Sequence, residues 1–283
     1  MVKLPGDRAD SSARNEILAF IRGLPAPLRQ LVETHRALDA DLLRRADAVV
    51  AFGSDAAMSS LREKTRWEQK FIAHGHALSL LWLADPNRLT PRQARACAVD
   101  ILTYDQLGCL SPQAIYAPPG TDFAALARKL GHALEAHWRQ VKKKPARPLS
   151  VAARIAEARE MARALGHRVW LPPRHHLGWT LIHDPDPAFQ PSPLHGVIYL
   201  RQTSESHLPT ALASVAGRIS TIGIAGRLST GRLSPRLESI FLNLGVSRFC
   251  AAGRMQFPPL AWHHDGRSSL ADLVSWINAE NLE

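Results

Sequence analysis

The sequence predicts an α/β protein built on a mostly parallel sheet. Three observations carry this reading. Short, largely apolar runs such as Ala46–Phe52 and Ala77–Leu83 suit strands buried on both faces. They alternate with longer stretches whose apolar residues recur at helical spacing. Glycine and proline punctuate the joints between the two kinds of segment.

Taken in order, the first fifteen residues are polar and are expected to fray. Asn15–Leu43 has helical spacing at Ile17, Leu18, Ile21, Leu28, Leu31 and Val32, and Pro25 and Pro27 split it into two helices. Ala46–Phe52 reads as a buried parallel strand ending at Gly53-Ser54, where Ser54 or Asp55 can cap a helix through Met58 and Leu61. A second strand, Ala77–Leu83, follows the turn His74-Gly75-His76. Thr90-Pro91-Arg92-Gln93 carries a full helix-start signature: a capping hydroxyl, proline in the first turn, and a glutamine placed to close a capping box. The helix it opens buries Ala94, Cys97, Ala98, Ile101 and Leu102 and is expected to end near Gly108.

Beyond Cys109 the reading is a strand at Ala114–Ala117, a helix over Phe123–Val141, a connector over 142–149, and a helix over Val151–Leu165 stopped by Gly166. Val169–Gln202 reads as β structure, with strands at Trp179–His183 and Gly196–Leu200 and four prolines between them. Helix Leu208–Ile219, strand Thr221–Ala225, helix Leu233–Leu244, strand Gly245–Cys250 and a closing helix Leu270–Asn278 complete the chain.

Composition narrows the function. At 283 residues the chain is long enough for one large or two ordinary domains, and 46% hydrophobic with 21% charged residues excludes intrinsic disorder. Ala77–Ala84, broken by Ser79, is too short to span a membrane, and MVKLPGDRAD lacks the apolar centre of an export signal. Three cysteines cannot all pair, so they read as core residues or one reactive thiol in a reducing compartment, and the cytoplasm follows. The net charge of +10 is mostly arginine spread along the whole chain. Its one cluster is Lys142–Lys144 with Arg147, which argues for a solvated surface or an anionic ligand and against nucleic acid. Histidine spacings do not make a metal site: His132 and His137 do not share a helix face, and neither His175-His176 nor His263-His264 has a third ligand at a recognisable spacing.

The residue that stands out is Cys109. It lies in a loop between glycine- and proline-controlled points, whereas Cys97 falls mid-helix and Cys250 at a strand end. A loop cysteine is either a nucleophile awaiting a tuned pKa or an inert packing residue, and spacing alone leaves both open.

The string Tyr104-Asp-Gln-Leu-Gly-Cys109-Leu-Ser-Pro112-Gln resembles the nucleophile loop of the LuxC-type fatty acyl-CoA reductases. These belong to the aldehyde dehydrogenase superfamily and supply aldehyde to bacterial luciferase. Ala46–Ser54, Gly75-His76 with Ser79, Gly245–Arg248 with Gly253 and Met255, and Trp262-His-His-Asp-Gly266 look similar in the same order, so the resemblance spans about residues 35 to 280.

The resemblance implies an aldehyde dehydrogenase-like fold with a partial cofactor-binding lobe at 1–75, a catalytic thiol domain at 76–250, and a C-terminal segment, 251–283, returning to the cofactor lobe. It implies that Cys109 takes the acyl group of an acyl-CoA or acyl-protein thioester and that NADPH reduces the S-acyl adduct to a fatty aldehyde. Gly53 and Ser54 match the cofactor turn. His76 stands near the place where hydrolytic relatives keep a water-activating glutamate, and could instead shuttle a proton. His263, His264 and Asp265 either line the substrate mouth or form a plain turn.

The sequence departs from the family in one respect: one convincing cofactor-domain strand precedes the cysteine segment, whereas a dinucleotide fold is built from several βαβ units. A shortened chain, a second chain completing the site, and loss of cofactor binding are the competing explanations. Self-association is expected if sheet edges lie open. The alternative function is an acyl-carrying or acyltransferase subunit, or an inactive homologue, that binds no NADPH.

Overall fold

The computed structural model describes residues 1–4, 11–142, 144–145, 147–228, 232–268, 270–278 and 280. The chain divides into two compact units, Met1–Gly75 with Leu270–Glu283, and His76–Ser269. Residues 251–269 thus belong with the larger unit.

In the smaller unit, β1 (Val2–Lys3) pairs in parallel with β2 (Thr34–His35), and Leu4 beyond it is buried. The expected fraying therefore does not extend to residues 2–4; residues 5–10 lie outside the described ones. Pro25 separates α1 (Ser11–Gly23) from α2 (Ala26–Gln30), and Pro27 falls in the first turn of α2. Asp39 caps α3 (Ala40–Arg45), its carboxylate accepting from the Leu42 amide at 2.7 Å.

β3 (Ala48–Phe52) then pairs in parallel with β4 (Lys70–His74), with α4 (Asp55–Glu63) between them. The sequence reading missed β4 and overstated the burial of β3. Within β3 only Ala51 is buried; Phe52 is 67% exposed and stacks on the His74 ring at 4.6 Å. A two-stranded sheet lacks the area that a core strand needs on both faces. The expected closing helix over Leu270–Asn278 is also absent: a single 3-10 turn, Ala271–Leu273, packs on β4, and Trp276 and Ile277 stay exposed. A helix there would order its backbone without burying an apolar face.

The larger unit is organised by one seven-stranded sheet. Its strands are β5 (Leu78–Leu83), β6 (Pro112–Ala117), β7 (Arg168–Trp170), β8 (Thr180–His183), β9 (Val197–Gln202), β10 (Ile219–Ala225) and β11 (Arg248–Ala251), in the spatial order β11-β10-β5-β6-β9-β8-β7. Every neighbouring pair is parallel except the edge pair β7·β8.

All six residues of β5 and of β6 are buried, which is why their sequences run apolar without alternating. Leu81, Leu83, Ile115 and Leu200 face α5 (Pro91–Leu102) and α6 (Phe123–Gln140) through Ile101, Leu126, Leu130 and Leu134. On the other face Leu80, Trp82, Tyr116 and Ile222 meet α8 (Leu208–Ala211) and α9 (Pro235–Asn243) through Leu208, Leu237 and Phe241. α7 (Leu149–Ala164) closes a smaller cluster over β8 and β9. The expected helix over Leu208–Ile219 is only α8 followed by a 3-10 turn, because Ile219 is drawn into β10.

β8 and β9 are parallel although no helix joins them. Their proline-rich connection is held by side chains: Tyr116 donates to the Pro187 carbonyl at 3.0 Å, and the fully buried Arg201 pairs with Asp184 at 2.7 Å.

The capping box forms as its sequence indicates. The Gln93 amide donates to Thr90 Oγ1 at 3.3 Å, and the Thr90 amide donates to Gln93 Oε1 at 2.9 Å. Thr90→Ala is expected to lower unfolding stability by about 1 kcal/mol in urea denaturation without changing its slope.

Candidate active site

The path from α5 to β6 decides where Cys109 stands. α5 ends at Leu102, six residues before Gly108, and the expected glycine cap is not used. Instead Tyr104, Asp105 and Gln106 are all left-handed, with φ of 55°, 54° and 62°. Each such residue costs roughly 1–2 kcal/mol outside glycine, so the surroundings must impose the conformation.

They do so through two side chains. Gln106 is buried; its amide nitrogen donates to the carbonyls of Pro112 at 2.8 Å and Val197 at 3.0 Å, and its oxygen accepts from the Gly196 amide at 2.8 Å. Asp105 receives both terminal nitrogens of Arg147 and also bonds His195 Nδ1.

The chain then makes a tight turn, with the Ser111 amide donating to the Gly108 carbonyl at 2.9 Å. Cys109 sits at the turn's tip with an exposed side chain. Ser79, on β5, donates to the Cys109 carbonyl at 2.8 Å. Gln256 donates to Ser111 Oγ at 2.9 Å and to the Asp100 carbonyl at 3.2 Å. The turn lies ahead of β6, whereas a groove of about 740 Å³ lined by Cys250, Arg92 and Phe249 lies beyond the far ends of β10 and β11 and does not include Cys109.

Of the other residues singled out by sequence, His76 is exposed in the short link that leads into β5, three positions before Ser79. Gly53 and Ser54 form an exposed turn between β3 and α4 in the smaller unit. Ser54 Oγ accepts from the Ala57 amide at 3.3 Å, so the predicted cap forms. Sequence reasoning missed Asp100, Gln106 and Gln256. Asp100 carried a usable signal, since it is a charged residue on the apolar face of α5.

Two cations of the basic cluster are spent locally: Lys144 donates to the Val141 carbonyl at 2.9 Å, and Arg147 is committed to Asp105; Lys142 is exposed, and Lys143 lies outside the described residues.

Residues 31–276 match the acyl-CoA reductase (LuxC) family. The chain belongs to that family. A search of curated proteins finds no match. Among solved structures, a benzaldehyde dehydrogenase from Corynebacterium glutamicum, described as NAD-dependent, is similar with a TM-score of 0.56 at 12% identity, covering 82% of this chain and 52% of that one. A glyceraldehyde-3-phosphate dehydrogenase from Methanocaldococcus jannaschii, complexed with NADP, gives 0.52 at 13%, covering 75% and 47%. Proline utilization A from Bradyrhizobium japonicum gives 0.60 at 14%, covering 92% and 28%. The fold of this LuxC-family chain is thus that of the aldehyde dehydrogenases, and the chain spans about half the length of the two dehydrogenases, and 28% of proline utilization A.

The family and fold of this chain imply a nicotinamide cofactor. Gly53 precedes Ser54, the N-cap of the nine-residue α4, whose N-terminus favours anions but carries Asp55 in its first turn, and a β-carbon on Gly53 would lie 3.1 Å from the Met58 methyl. Among the described residues the smaller unit otherwise holds two two-stranded sheets, less than a dinucleotide fold uses.

The thiols of the family member differ in environment. Burial pushes Cys97 up to about 12 and Cys250 to about 11, so both are inert at neutral pH. Cys109 is also raised, first by loss of water around the turn and then by the negative charge of Asp265, while the amides of Cys109 and Leu110 act in the opposite sense. Removing the Asp265 charge stabilises the thiolate. Asp265→Asn is therefore expected to move the alkylation midpoint of Cys109 to lower pH and to raise its iodoacetamide rate at pH 8 by about threefold, read by mass spectrometry of the Cys109 peptide.

Proposed function

We propose that this chain captures the acyl group of a long-chain acyl thioester on Cys109 and acts in its NADPH-dependent reduction to a fatty aldehyde. The observation that carries the reading is the exposed thiol at the tip of a turn over-determined by buried hydrogen bonds. Such a turn holds a nucleophile in one orientation, which inert packing does not require.

The chemistry follows from the chain's own groups. The Cys109 sulfur, once deprotonated, attacks the thioester carbonyl, and the carbonyl electron pair moves to oxygen. The amides of Cys109 and Leu110 already act on the sulfur, and they are the donors proposed for that oxyanion. The C–S bond to coenzyme A, or to a carrier protein, then breaks, and its sulfur leaves as a thiol after taking a proton. His76 is proposed to carry that proton, from its place just ahead of Ser79. Leu107 beside the turn and Phe257 next to Gln256 are both exposed, and they offer apolar surface for a fatty chain. Gly53 and Ser54 would hold the phosphate end of NADPH, which when bound supplies the hydride for reduction. In this reading residues 1–75 form a partial cofactor lobe, 76–250 with 251–269 the thiol domain, and only the part from 270 onward returns to the cofactor lobe, in a cytoplasmic protein. Among the described residues no helix is long and apolar enough to cross a membrane.

A second reading has one observation in its favour. The paucity of strands around Gly53 among the described residues suits an acyl-carrying or acyltransferase subunit that itself binds no NADPH and leaves reduction to a partner chain. Labelled long-chain acyl-CoA is expected to leave a hydroxylamine-sensitive adduct that Cys109→Ala abolishes and that Cys97→Ala and Cys250→Ala retain; label in the Cys109→Ala protein would end both readings. Supplied with acyl-CoA, the purified chain alone is expected to oxidise NADPH only slowly, measured at 340 nm. Brisk turnover would remove the case for a partner.

A further inference from the structure

A buried carboxylate behind the nucleophile turn is used by nothing in the chemistry above. Asp100 sits in the last turn of α5 with no exposed surface. Its carboxylate accepts from the amides of Gly253 and Met255, the latter at 3.0 Å. The same four-residue loop is gripped from its other side by Arg248, which donates to the carbonyls of Met255 and Arg254, both at 2.8 Å. A carboxylate on the amides and a guanidinium on the carbonyls fix the loop as a rigid block between two opposite charges.

The last residue of that block is Gln256. Its side-chain amide bridges the Asp100 carbonyl and Ser111 Oγ, and its oxygen lies 3.7 Å from where a β-carbon on Gly108 would stand. Gly108 and Ser111 are the two ends of the turn that presents Cys109.

We infer that Asp100 and Gln256 are positioning residues for Cys109, transmitting the rigidity of the 253–256 loop into the nucleophile turn. The inference rests on Cys109 being the nucleophile. The arrangement also explains a sequence coincidence. Gly253 and Met255 are needed there as backbone donors, and a β-carbon on Gly253, whose φ is +86°, would come within 2.9 Å of Ala96. Burial pushes the Asp100 carboxyl up to about 6, while the amides of Gly253 and Met255 and the charge of Arg248 pull it back, so at neutral pH those partners hold an ionised group that water does not reach.

The test compares wild type with Gln256→Leu and Asp100→Asn by three readouts: hydrogen exchange of the 109–111 amides against the β6 amides Ile115 and Tyr116, iodoacetamide alkylation at Cys109, and acyl transfer from acyl-CoA. Positioning predicts exchange at 109–111 at least about tenfold faster with β6 unchanged, alkylation within about threefold, and acyl transfer down about tenfold or more. Unchanged exchange at 109–111 in the folded variants overturns the inference. So does equal acceleration in β6, which marks general destabilisation, or an equal fall in alkylation and acyl transfer. Gln256→Leu leaves the carboxylate intact and carries the test if Asp100→Asn does not fold. A wild type that never becomes acylated rejects the proposed function, while the exchange data still judge the link between Gln256 and the turn.

Discussion

The placement of Cys109 depends on how the chain leaves α5 and enters β6 without a glycine at the bend. Three successive left-handed residues are unfavourable for any L side chain, and they persist because Gln106 replaces the backbone partners that the bend removes. One buried carboxamide thereby ties the bend to the start of β6 and to the entry of β9. The turn carrying Cys109 follows directly, so its position is inherited from the sheet rather than from the loop's own preferences. Sites built on rigid elements in this way keep their geometry better than sites on free loops.

The sheet supplies that rigidity through a demand of its own. Parallel strands joined by crossovers must be covered on both faces, and the larger unit meets this with α5 and α6 on one side and α8 and α9 on the other. The demand constrains pattern and volume more than residue identity, which accounts for a shared fold at 12–14% identity. The smaller unit meets it only in part: β3 and β4 have one ladder between them, and Phe52 remains exposed.

Charge is arranged by the same economy of burial. Arg147, Arg159, Arg201 and Arg248 are turned inward, donating to Asp105, to Thr180 and the His176 carbonyl, to the Asp186 carbonyl with an ion pair to Asp184, and to the loop carbonyls behind Cys109. Planar guanidinium groups suit such multidentate internal roles. A formal charge of +10 in this protein therefore includes several cations that shape the interior and do not form an external basic face.

The sequence by itself determined the α/β alternation, the strands at β5 and β6, the capping box at Thr90, the cap at Ser54 and the loop placement of Cys109. All of these rest on local periodicity or on contacts within a few residues, and those are written in neighbouring letters. Only the tertiary structure decided that β8 and β9 run parallel, that residues 270–278 do not form a helix, that Gly108 is not a cap, and that Asp100, Gln106 and Gln256 converge behind the thiol. Gln106 meets Val197, and Gln256 meets Ser111, across 91 and 145 residues of chain. A polar side chain with such distant partners looks like an ordinary surface residue until burial deprives it of water and leaves those partners as its only alternative.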